Sequence, residues 1–337
     1  MKQHEVKVTT ITVGTNERRW LGPCLRSLLA SDRPGISLTV RYIDNNSHDG
    51  SAELVRAQFP TVIITRNRRN LGFAAANNVG MRAAIAEGSD YVFLVNPDTQ
   101  TPPDLVANLV RFMSSWPAYG IVGPMQYQYD SMSTGLTEHN DWSRMSLVNG
   151  ERHAFYSDWP DHPSPAGPAA GRVPRTLEHA YVQGSALFAR SSVLRQIGLF
   201  DEVFHTYYEE VDLCRRARWA GYRVALLLDH GIQHKGGGGS GHGRYRRVHM
   251  RRNRYYYLLT DIGWPRPRAA RLAARWLDRD LRGRSVGGRT SPVLGTAETL
   301  AAMAWLGSRT PQIIARRHSH RRLIKSSPAR HGEADSR

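Results

Sequence analysis

The sequence has few cysteines, no long apolar run and, toward its C-terminus, few acidic residues. Its 337 residues include two cysteines, Cys24 and Cys214, too few for the disulfide framework of a small secreted protein. No apolar run approaches the ~18 residues of a membrane-spanning helix. The first residues, MKQHEVKVTTITV, lack the apolar core of a signal peptide. We therefore expect a reduced, cytoplasmic protein without a spanning helix.

The sequence also lacks the glycine fingerprint G-x-G-x-x-G after its first predicted strand, VKVTTITVGTN. That fingerprint brings backbone N–H groups against the pyrophosphate of a dinucleotide. Its absence argues against an oxidoreductase that uses a nicotinamide cofactor.

Basic residues are in excess, and they are unevenly distributed. The formal net charge is +17, from 46 Lys and Arg against 29 Asp and Glu. Residues 244–337 hold 22 of these basic residues and 6 of the acidic ones. The composition therefore predicts a nearly neutral part over 1–243 and a basic extension over 244–337, with different surroundings or partners.

Strand and helix patterns alternate over residues 6–98. Strand patterns at VKVTTITVG, SLTVRYID, TVIITR and YVFLV are separated by segments with helical spacing of apolar residues. This alternation is typical of βαβ units, which build a mostly parallel sheet with helices on both faces. We predict an α/β fold.

Three of the predicted strands end in polar clusters. In open α/β sheets, ligands bind beyond the carboxyl ends of the strands, so these clusters are expected to open on one crevice. The clusters are Gly14-Thr15-Asn16, Asp44-Asn45-Asn46 and Asn96-Pro97-Asp98.

Asp98 directly follows an apolar strand, behind Pro97, which fixes the backbone. An aspartate in such a place is often only a turn former. However, hard cations such as Mg²⁺ and Mn²⁺ prefer oxygen ligands, often one or two carboxylates with substrate phosphates. Asp98 is therefore a candidate metal ligand. Asp44 fits an Asx turn as well as a contact to a base or ribose.

Three acidic residues stand together in YYEEVDLC: Glu209, Glu210 and Asp212. The helix dipole favours acidic residues in a first turn, which would explain one or two of them. Crowded carboxylates also raise one another's pKa, and a partly desolvated carboxylate suits a general base. The cluster therefore predicts a helix start or a proton acceptor.

The stretch HKGGGGSGH follows another strand pattern, RVALLLDHGIQ. His234 is either structural or a metal ligand, and the glycine run is either a flexible loop or a backbone cradle for phosphate.

Earlier in the chain, residues 126–178 are rich in Gly, Pro and polar residues. This composition predicts a long, partly mobile excursion over the site.

Taken together and in this order, five stretches resemble family 2 glycosyltransferases of the GT-A fold, most nearly the bacterial rhamnosyltransferases of cell-surface polysaccharide assembly. The resemblance spans residues 6–260 and implies a Rossmann-like three-layer sandwich. Residues 1–125 would form its nucleotide-sugar-binding half and 126–243 its acceptor and catalytic half. The stretches are DNNSHDGS, NRRNLGFAAANNVGM, FLVNPDT, GLFDEVFHTYYEEVDLCRRARWAGY and HKGGGGS.

The resemblance also implies roles for individual residues. Asn96-Pro97-Asp98 matches a variant of the family's DXD motif, so that Asp98, His234 and Asn96 are the implied site for Mg²⁺ or Mn²⁺. Gly184 and Asp212 are implied on the acceptor side. The implied donor-nucleotide residues are Val13, Gly14, Thr15, Asp44, Asn46, Asn70, Gly72, Phe73, Asn77 and Pro97.

Glu209-Glu210 matches the family's Glu-Asp pair, whose second member is the catalytic base. The implied base is Glu210, with one methylene more than an aspartate, and Glu209 stays open as the alternative. Thr15 also departs from the family, in which a tyrosine often stands against the nucleobase. The implied reaction is an inverting, metal-dependent transfer of a sugar, by analogy rhamnose from dTDP-rhamnose, to a hydroxyl of a lipid-linked or polysaccharide acceptor.

The basic extension has three interpretations. Arginines mixed with aromatic residues, as in RYRRVHMRRNRYYYLLTDIGW, can form a solvated surface, bind nucleic-acid phosphates or bind the anionic cytoplasmic face of a membrane. An enzyme with a lipid-linked acceptor gains most from the third. We therefore expect a helical, peripherally membrane-associated extension with a disordered end, and no nucleic-acid partner.

Two other functions compete with sugar transfer. A nucleotidyltransferase could share such a sheet and metal site, and Arg18 and Arg19 after the first strand offer phosphate contacts. A nucleic-acid-binding protein would explain the basic extension but would leave the acidic cluster of residues 209–212 without a role.

Overall fold

A computed structural model describes residues 5–128, 176–178, 181–235, 243–263, 265–282 and 292–325. Alternating strands and helices form the first half of its central sheet. β1 lies between β2 and β4 and is parallel to both, and β3 continues the parallel order beyond β2. β4 is buried at every position, as its continuous apolar run predicts for a central parallel strand. These elements are β1 (Val6–Gly14), α1 (Arg18–Leu29), β2 (Ile36–Asp44), α2 (Ser51–Gln58), β3 (Ile63–Arg66), α3 (Gly72–Ala86) and β4 (Tyr91–Val95).

The second half of the sheet is mixed in direction. Its elements are β5 (Thr99–Gln100), α4 (Leu105–Ser115), β6 (Tyr119–Gln128), β7 (Thr176–Glu178), β8 (Ala186–Arg190), α5 (Ser191–Ile197), a 3₁₀ turn (Glu202–Phe204), α6 (Glu209–Trp219) and β9 (Arg223–His234). β8 is antiparallel to β4 and β6, β9 is parallel to β6, and β5 and β7 are antiparallel to β9. The strand order is β3-β2-β1-β4-β8-β6-β9-β5, with β7 beside β9. The expected parallel order thus holds for the first four strands in the chain.

Helices cover both faces of the sheet, as predicted. One apolar layer joins the sheet to α1, α2 and α4, and the other joins it to α3, α5 and α6. Small residues let α3 approach β1 closely, since a Cβ at Gly80 would lie 2.6 Å from Cγ2 of Ile11. Cys24 and Cys214 are buried free thiols in opposite layers. The three-layer arrangement of the prediction is therefore present.

The basic extension is helical, as expected, and it packs on the rest of the protein. It contains α7 (Arg244–Thr260), α8 (Arg266–Leu281), α9 (Pro292–Ser308) and α10 (Thr310–Lys325). A third apolar cluster joins Phe204 of the 3₁₀ turn to α7, α8 and α9. Packing is therefore continuous across residue 243, where the composition changes. Within the described ranges, no helix has both the length and the apolar character needed to cross a bilayer.

Several predicted features lie outside the described residues. They are most of the excursion over 126–178, the glycine run over 236–239 and the C-terminal end from residue 326.

Candidate active site

The ends of β1, β2 and β4 lie side by side at one edge of the sheet. Gly14 pairs with Asp44 in the register of β1 and β2, and β4 runs along the other side of β1. Because the three strands are parallel, their carboxyl ends share one crevice, as the sequence predicts. Asp98 leaves the end of β4 at this crevice.

Asp98 and His234 are in contact, although they lie in different halves of the chain. Thr99 pairs with His234 across β5 and β9, and the N–H of Lys235 donates to the Asp98 carbonyl at 2.9 Å. This register brings Oδ1 of Asp98 to 3.2 Å from Nε2 of His234. The other ring nitrogen, Nδ1, lies 2.9 Å from Oε1 of Gln126, which fixes the orientation of the imidazole. The two predicted metal ligands are therefore juxtaposed.

The surroundings of Asp98 fit a divalent cation. The Asp98 carboxylate is buried, and His234 is its one ion-pair partner in the part of the chain that the structure describes. Burial, followed by the charges of Asp98 and Asp49, raises the pKa of Glu17 to about 7, so negative charge accumulates here. Among the described residues, no group of three His, Cys, Asp or Glu residues forms a metal cluster. A carboxylate with an imidazole would leave coordination positions for substrate phosphates.

Asn96, the third predicted member of the metal site, is held by its backbone. Its N–H donates to the Ser185 carbonyl at 2.9 Å, and its carbonyl accepts from the Thr99 hydroxyl at 2.7 Å. The Asn96 side chain is half-buried, while Pro97 is buried beside Asp98. The backbone bonds therefore fix the turn that carries Asp98.

Asp44, the last residue of β2, is fully buried at the start of the following turn. Its Oδ1 accepts from the N–H of Ser47 at 3.0 Å, and its Oδ2 lies 3.1 Å from Nε of Arg66. These contacts support its interpretation as a turn former, and a contact to the nucleotide stays a prediction. Asn46 is half-buried with a φ of 68°, and the Thr15 hydroxyl donates to the Asn45 carbonyl at 3.4 Å.

An amide network shapes the loop before α3. Buried Asn45 donates to Oδ1 of Asn70 at 2.8 Å, and its own Oδ1 accepts from Asn67 at 3.1 Å and from the N–H of Leu71 at 2.9 Å. Asn70 also accepts from the N–H of Gly72 at 2.8 Å. The predicted donor residue Asn70 thus has a second role, because it orders the loop that leads to Gly72.

Gly72 begins α3 with a φ of 80°, in the left-handed region that favours glycine. A Cβ at this position would lie 2.2 Å from Nδ1 of His205. The N–H of Ala74 donates to the His205 carbonyl at 3.0 Å, and Asn77 donates to the Phe73 carbonyl at 3.0 Å. The predicted donor segment is therefore packed against the loop that leads to the acidic pair.

Gly184 lies where the donor segment meets the acidic pair. A Cβ at Gly184 would lie 3.1 Å from the Phe73 ring and 3.8 Å from Cβ of Glu210. The absence of a side chain at Gly184 leaves space between these two residues. The structure thus brings together one residue from each predicted group: donor side, acceptor side and base.

Ser185 connects this meeting point to the Asp98–His234 pair. Its carbonyl accepts from Asn96, and its hydroxyl donates to Oε1 of Gln126 at 2.9 Å. The same oxygen of Gln126 contacts the His234 ring. Residues 184–185 therefore lie between the candidate metal site and Glu210.

Glu209 and Glu210 open α6, behind Tyr207 and Tyr208, whose φ angles of 68° and 77° are left-handed. The Oε2 atom of each glutamate is buried without a hydrogen-bond partner among the described residues. Burial, reinforced by the charge of Glu210, raises the pKa of Glu209, and burial raises the pKa of Glu210 to about 7. A carboxyl group with a pKa near neutral pH suits proton transfer. Both interpretations of this stretch, helix start and proton acceptor, fit the structure.

Asp212 is paired with two arginines of its own helix. It is buried, with Oδ1 at 2.5 Å from Arg215 and Oδ2 at 2.7 Å from Arg216. Burial alone would raise its pKa, but the two arginines outweigh burial and hold the pKa well below its usual range. Both carboxylate oxygens are thus occupied by buried ion pairs, and the acceptor-side role of Asp212 stays a prediction.

A residue of the basic extension holds the loop before the acidic pair. The fully buried amide nitrogen of Asn253 lies 2.8, 2.7 and 2.8 Å from the carbonyl oxygens of Phe204, Thr206 and Tyr207. Buried backbone carbonyls need partners, and one side chain supplies them for this left-handed segment. Helix α7 therefore takes part in placing Glu209 and Glu210.

Many arginines of the extension are occupied inside the protein. Buried ion pairs join Arg251 to Glu298 and Arg254 to Asp280, each at 2.9 Å. Only part of the excess positive charge is therefore available to a partner. The exposed arginines of α8 include Arg268, Arg271 and Arg275.

Arg18 and Arg19 have contacts of their own. Arg18 donates from its backbone N–H to the Asp49 carboxylate at 2.9 Å and from its guanidinium to the Asp49 carbonyl at 3.2 Å. The guanidinium of Arg19 lies over the Trp20 ring, 4.6 Å from its centroid. These contacts weaken the expectation of a phosphate-binding pair in a nucleotidyltransferase.

Four residues of the site were not among the predicted ones: Glu17, Asn45, Gln126 and Asn253. Glu17 and Asn45 lie in or next to the polar clusters that follow β1 and β2. Their positions beside these predicted strand ends could have identified them as site residues. Gln126 and Asn253 act through tertiary contacts, for which no local pattern gives a signal.

Comparison with known proteins gives a family match and a related sequence. The family model described as "Glycosyl transferase family 2" matches residues 9–192. The N-acetylglucosaminyl-diphospho-decaprenol L-rhamnosyltransferase of Mycobacterium tuberculosis (strain H37Rv) is 29% identical over 260 residues, which cover 72% of this chain and 82% of that protein.

Two solved structures have a similar fold. The structure of residues 1–349 of S. aureus TarS matches with a TM-score of 0.56 at 13% identity, over 97% of this chain and 92% of that chain. The mannosyltransferase PcManGT from Pyrobaculum calidifontis, in complex with GDP-Man and Mn²⁺, matches with a TM-score of 0.53 at 16% identity, over 98% and 88%. At such identities the likeness concerns the fold alone, and it confirms the predicted GT-A-type α/β fold with a helical C-terminal region.

Proposed function

The chain belongs to glycosyl transferase family 2, and on this premise we propose that this glycosyltransferase moves a sugar from a nucleotide-activated donor to a hydroxyl of a lipid-linked acceptor, in the assembly of a cell-surface glycan. The observation that supports this proposal most is the segment Gly184-Ser185. Ser185 contacts Asn96 and Gln126, the hydrogen-bond neighbour of His234, while Gly184 lies beside Phe73 and Glu210. An anion-stabilising site and a proton acceptor are the two parts that a direct transfer needs.

In this proposal, Asp98 and His234 hold a Mg²⁺ or Mn²⁺ ion, with Asn96 beside them. Bound there, the ion would offset the charge that develops on the diphosphate of the donor as the sugar leaves. The buried negative charge of Asp98, with the raised pKa of Glu17 beside it, supports this role. So does the presence of GDP-Man and Mn²⁺ in the structure of PcManGT.

The donor nucleotide is proposed to lie along the ends of β1 and β2 and the start of α3. β1 and β2 end side by side at one edge of the sheet. Gly72, the first residue of α3, has a left-handed backbone and no side chain. The proposed contacts are Val13, Gly14, Thr15, Asp44, Asn46, Asn70, Gly72, Phe73, Asn77 and Pro97.

Glu210 is the proposed general base. It accepts the proton of the acceptor hydroxyl while that oxygen forms a bond to the anomeric carbon, and the bond from this carbon to the diphosphate oxygen breaks. Attack from the face opposite the leaving nucleotide inverts the configuration and needs no protein nucleophile. Glu210 is preferred to Glu209 because it is only half-buried and faces Gly184, whereas Glu209 is buried.

The proposed donor is dTDP-rhamnose, and the proposed acceptor carries a lipid diphosphate. The rhamnosyl group and the lipid diphosphate are proposed from the mycobacterial relative, an N-acetylglucosaminyl-diphospho-decaprenol L-rhamnosyltransferase, and the dTDP nucleotide is proposed from the family resemblance. An acceptor of this kind is confined to a membrane. The exposed arginines of α8 would hold the enzyme peripherally at an anionic cytoplasmic surface, where each nearby Arg contributes about 1 kcal/mol.

A panel of nucleotide sugars, with and without Mg²⁺ or Mn²⁺, tests the proposal. We expect metal-dependent binding and slow hydrolysis of one donor, with dTDP-rhamnose preferred. Hydrolysis at equal rates in EDTA would rule out the metal role. If none of the donors binds, the assignment of the crevice itself fails.

A further inference from the structure

A cavity of about 520 Å³ lies between the catalytic part and the helical extension. Its walls come from the 3₁₀ turn, from His205, from α7 and from the junction of α9 and α10. Among the described residues that line it, none belongs to the predicted donor, metal or catalytic sets. The cavity has the size of a small-ligand site, and its wall at His205 adjoins the predicted donor segment at Gly72.

Two guanidinium groups without carboxylate partners face this cavity. Arg252 and Arg309 both lie over Trp305, with Cζ at 4.7 and 5.7 Å from the ring centroid. Within the part of the chain that the structure describes, neither has an acidic side chain at salt-bridge distance. Burial lowers the pKa of Arg252, and the charge of Arg309 lowers it further, while Tyr245 acts to raise it. Like charges are thus held together without a counterion.

The acidic residue of the lining is already neutralised elsewhere. Glu202 is exposed, and its Oε1 lies 3.3 Å from Arg82 and accepts from Asn78 at 2.9 Å. Its charge is therefore offset on the outer side of the cavity. The arginines determine the sign of the cavity's electrostatic potential, which favours an anion.

Ring nitrogens of two histidines and the Nε atom of Arg309 complete the polar lining. The rings of His205 and His249 are stacked with centroids 5.2 Å apart. Nδ1 of His249 and Nε of Arg309 are buried without a hydrogen-bond partner among the described residues. Burial, and then the charges of Arg252 and His205, lowers the pKa of His249 to about 3. Its imidazole is therefore neutral at pH 7, and because the ring also forms a hydrogen bond with the Phe204 backbone, the unpartnered donor in this lining is the Nε–H of Arg309.

We propose that the cavity lined by Arg252, Arg309 and His249 binds a diphosphate-type anion. Arginine forks match phosphoryl oxygens, and a desolvated pair of them with neighbouring N–H donors suits a ligand with several such oxygens. The diphosphate that joins lipid and sugar in the acceptor is one source of this chemistry, and a free anion is the other. Assignment to the acceptor rests on the proposed function.

The place of the cavity in the fold favours the acceptor as the source. His205 forms part of the wall, and the chain runs directly from it through Tyr207 and Tyr208 to Glu209. Asn253, the neighbour of Arg252, holds that same loop. A ligand on Arg252 therefore sits on the helix that positions the candidate base.

Calorimetric titration with inorganic pyrophosphate in EDTA tests the cavity without a donor metal. The double variant Arg252→Gln/Arg309→Gln is expected to bind pyrophosphate at least tenfold more weakly than the native protein. The control Arg271→Gln/Arg275→Gln removes the same charge from the exposed face of α8 and is expected to bind normally. Equal affinities for the native protein and the cavity variant would overturn the proposal, as would an equal loss in the control.

A second measurement identifies the source of the anion. With N-acetylglucosaminyl-diphospho-decaprenol in detergent as acceptor, the cavity variant is expected to raise the acceptor KM at least tenfold and to leave the donor KM unchanged. A loss of pyrophosphate binding with an unchanged acceptor KM overturns the acceptor assignment and leaves a free-anion site.

Two safeguards separate this inference from folding and from the proposed function. If the double variant does not fold, two single variants replace it. Arg309→Gln is expected to bind pyrophosphate more weakly, and the charge-conserving Arg252→Lys is expected to bind it with near-native affinity. Donor hydrolysis without acceptor is measured in parallel. If the native protein hydrolyses no donor, the proposed function fails, whereas the pyrophosphate titration still decides whether the cavity binds an anion.

Discussion

At the scale of single residues, the burial of the Glu210 carboxyl group is expected to determine how the rate of sugar transfer depends on pH. Burial raises its pKa to about 7 from the ordinary value of 4.5. A general base acts only when it is deprotonated, so transfer should lose rate as the pH falls below about 7. A glutamate in water would lose activity only near pH 4 to 5. The acid limb of the pH profile therefore reports on the environment of this residue.

We predict that kcat/KM falls about tenfold per pH unit below pH 7, and that Glu210→Gln lowers kcat by about 10² to 10⁴. Donor binding should remain, because Glu210 is not among the residues proposed to contact the donor nucleotide. Steady-state kinetics between pH 5 and 9 and a nucleotide titration measure both effects. Near-native turnover of the variant would transfer the role of base to Glu209, whose Glu→Gln variant is the matched comparison.

We predict that Asp98→Ala removes metal-dependent nucleotide binding and lowers transfer by at least about 10², because a metal ion stabilises developing charge by several kcal/mol. Titration of nucleotide with and without Mn²⁺ is the measurement. Asp278→Ala, at an exposed carboxylate that pairs with Arg282, is the control and should bind normally. Unchanged Mn²⁺ dependence in Asp98→Ala would exclude Asp98 as a ligand.

The sequence indicates some of these residues and not others, for a physical reason. Asp98 and His234 were found because each follows a strand, and strand ends in α/β sheets meet at one edge. The three acids Glu209, Glu210 and Asp212 look alike in sequence, so the sequence does not show which of them is paired. Only the fold brings Arg215 and Arg216 onto one of them.

At the scale of secondary-structure elements, the start of α3 shows how tightly the site is assembled. Gly72 and Gly88 flank this helix with nearly equal φ angles of 80° and 79°. A Cβ at Gly72 would collide with His205, whereas a Cβ at Gly88 would meet nothing within 4 Å. A substitution by alanine would therefore cause backbone strain at both glycines, but crowding of side chains only at Gly72.

We predict that Gly88→Ala costs about 1 kcal/mol, from strain alone, and that Gly72→Ala costs at least about 2 kcal/mol, because overpacking is added. Gly72→Ala should also weaken donor binding, since His205 and the donor loop must separate. Chemical denaturation and nucleotide titration test this. Equal stabilities of the two variants would show that the contact between Gly72 and His205 is not tight.

We predict that Asn253→Ala lowers both stability and kcat. Its loss removes the side-chain donor that the carbonyls of Phe204, Thr206 and Tyr207 share, at about 1–3 kcal/mol, and releases the left-handed segment that places Glu210. Thermal unfolding and kinetics at saturating donor provide the readouts. Arg246→Ala, exposed on the same helix, is the control. A lower melting temperature with unchanged kcat would limit Asn253 to a structural role.

Elements were easier to predict from the sequence than their directions. The alternation over β1 to β4 is visible because buried parallel strands are continuously apolar and helices repeat every three to four residues. The antiparallel direction of β8 was not visible. Strand direction depends on the connection before the strand, and that connection lies in the irregular composition of residues 126–178.

At the scale of the whole molecule, the basic extension is part of the catalytic fold. Asn253 reaches the loop before the acidic pair, and Tyr256 donates to Asp201 at 3.0 Å. Arg215 of α6 donates to the Tyr257 carbonyl at 2.7 Å. Composition marks a boundary at residue 243 because the charge changes there, but charge does not report packing.

We predict that a chain ending at residue 243 is insoluble or unfolded and cannot transfer sugar. Removal of α7 exposes the apolar cluster around Phe204 and removes the hydrogen bonds of buried Arg215 to Tyr257 and Thr260, so that Asp212 alone remains as its partner among these residues. Buried donors that lose their acceptors cost about 1–3 kcal/mol. Circular dichroism and activity assays compare it with a chain ending at residue 325, which should be native. A folded, active 1–243 protein would restore the picture of a separable extension.

The late position of Asn253 also affects the order in which activity arises during biosynthesis. The ribosome releases the chain from its N-terminus, so the strand ends proposed to hold the nucleotide emerge well before α7. A nascent chain that has just exposed Glu210 still lacks the amide that orders the loop in front of it. We therefore expect hydrolysis of activated sugar to begin only after α7 has been synthesised.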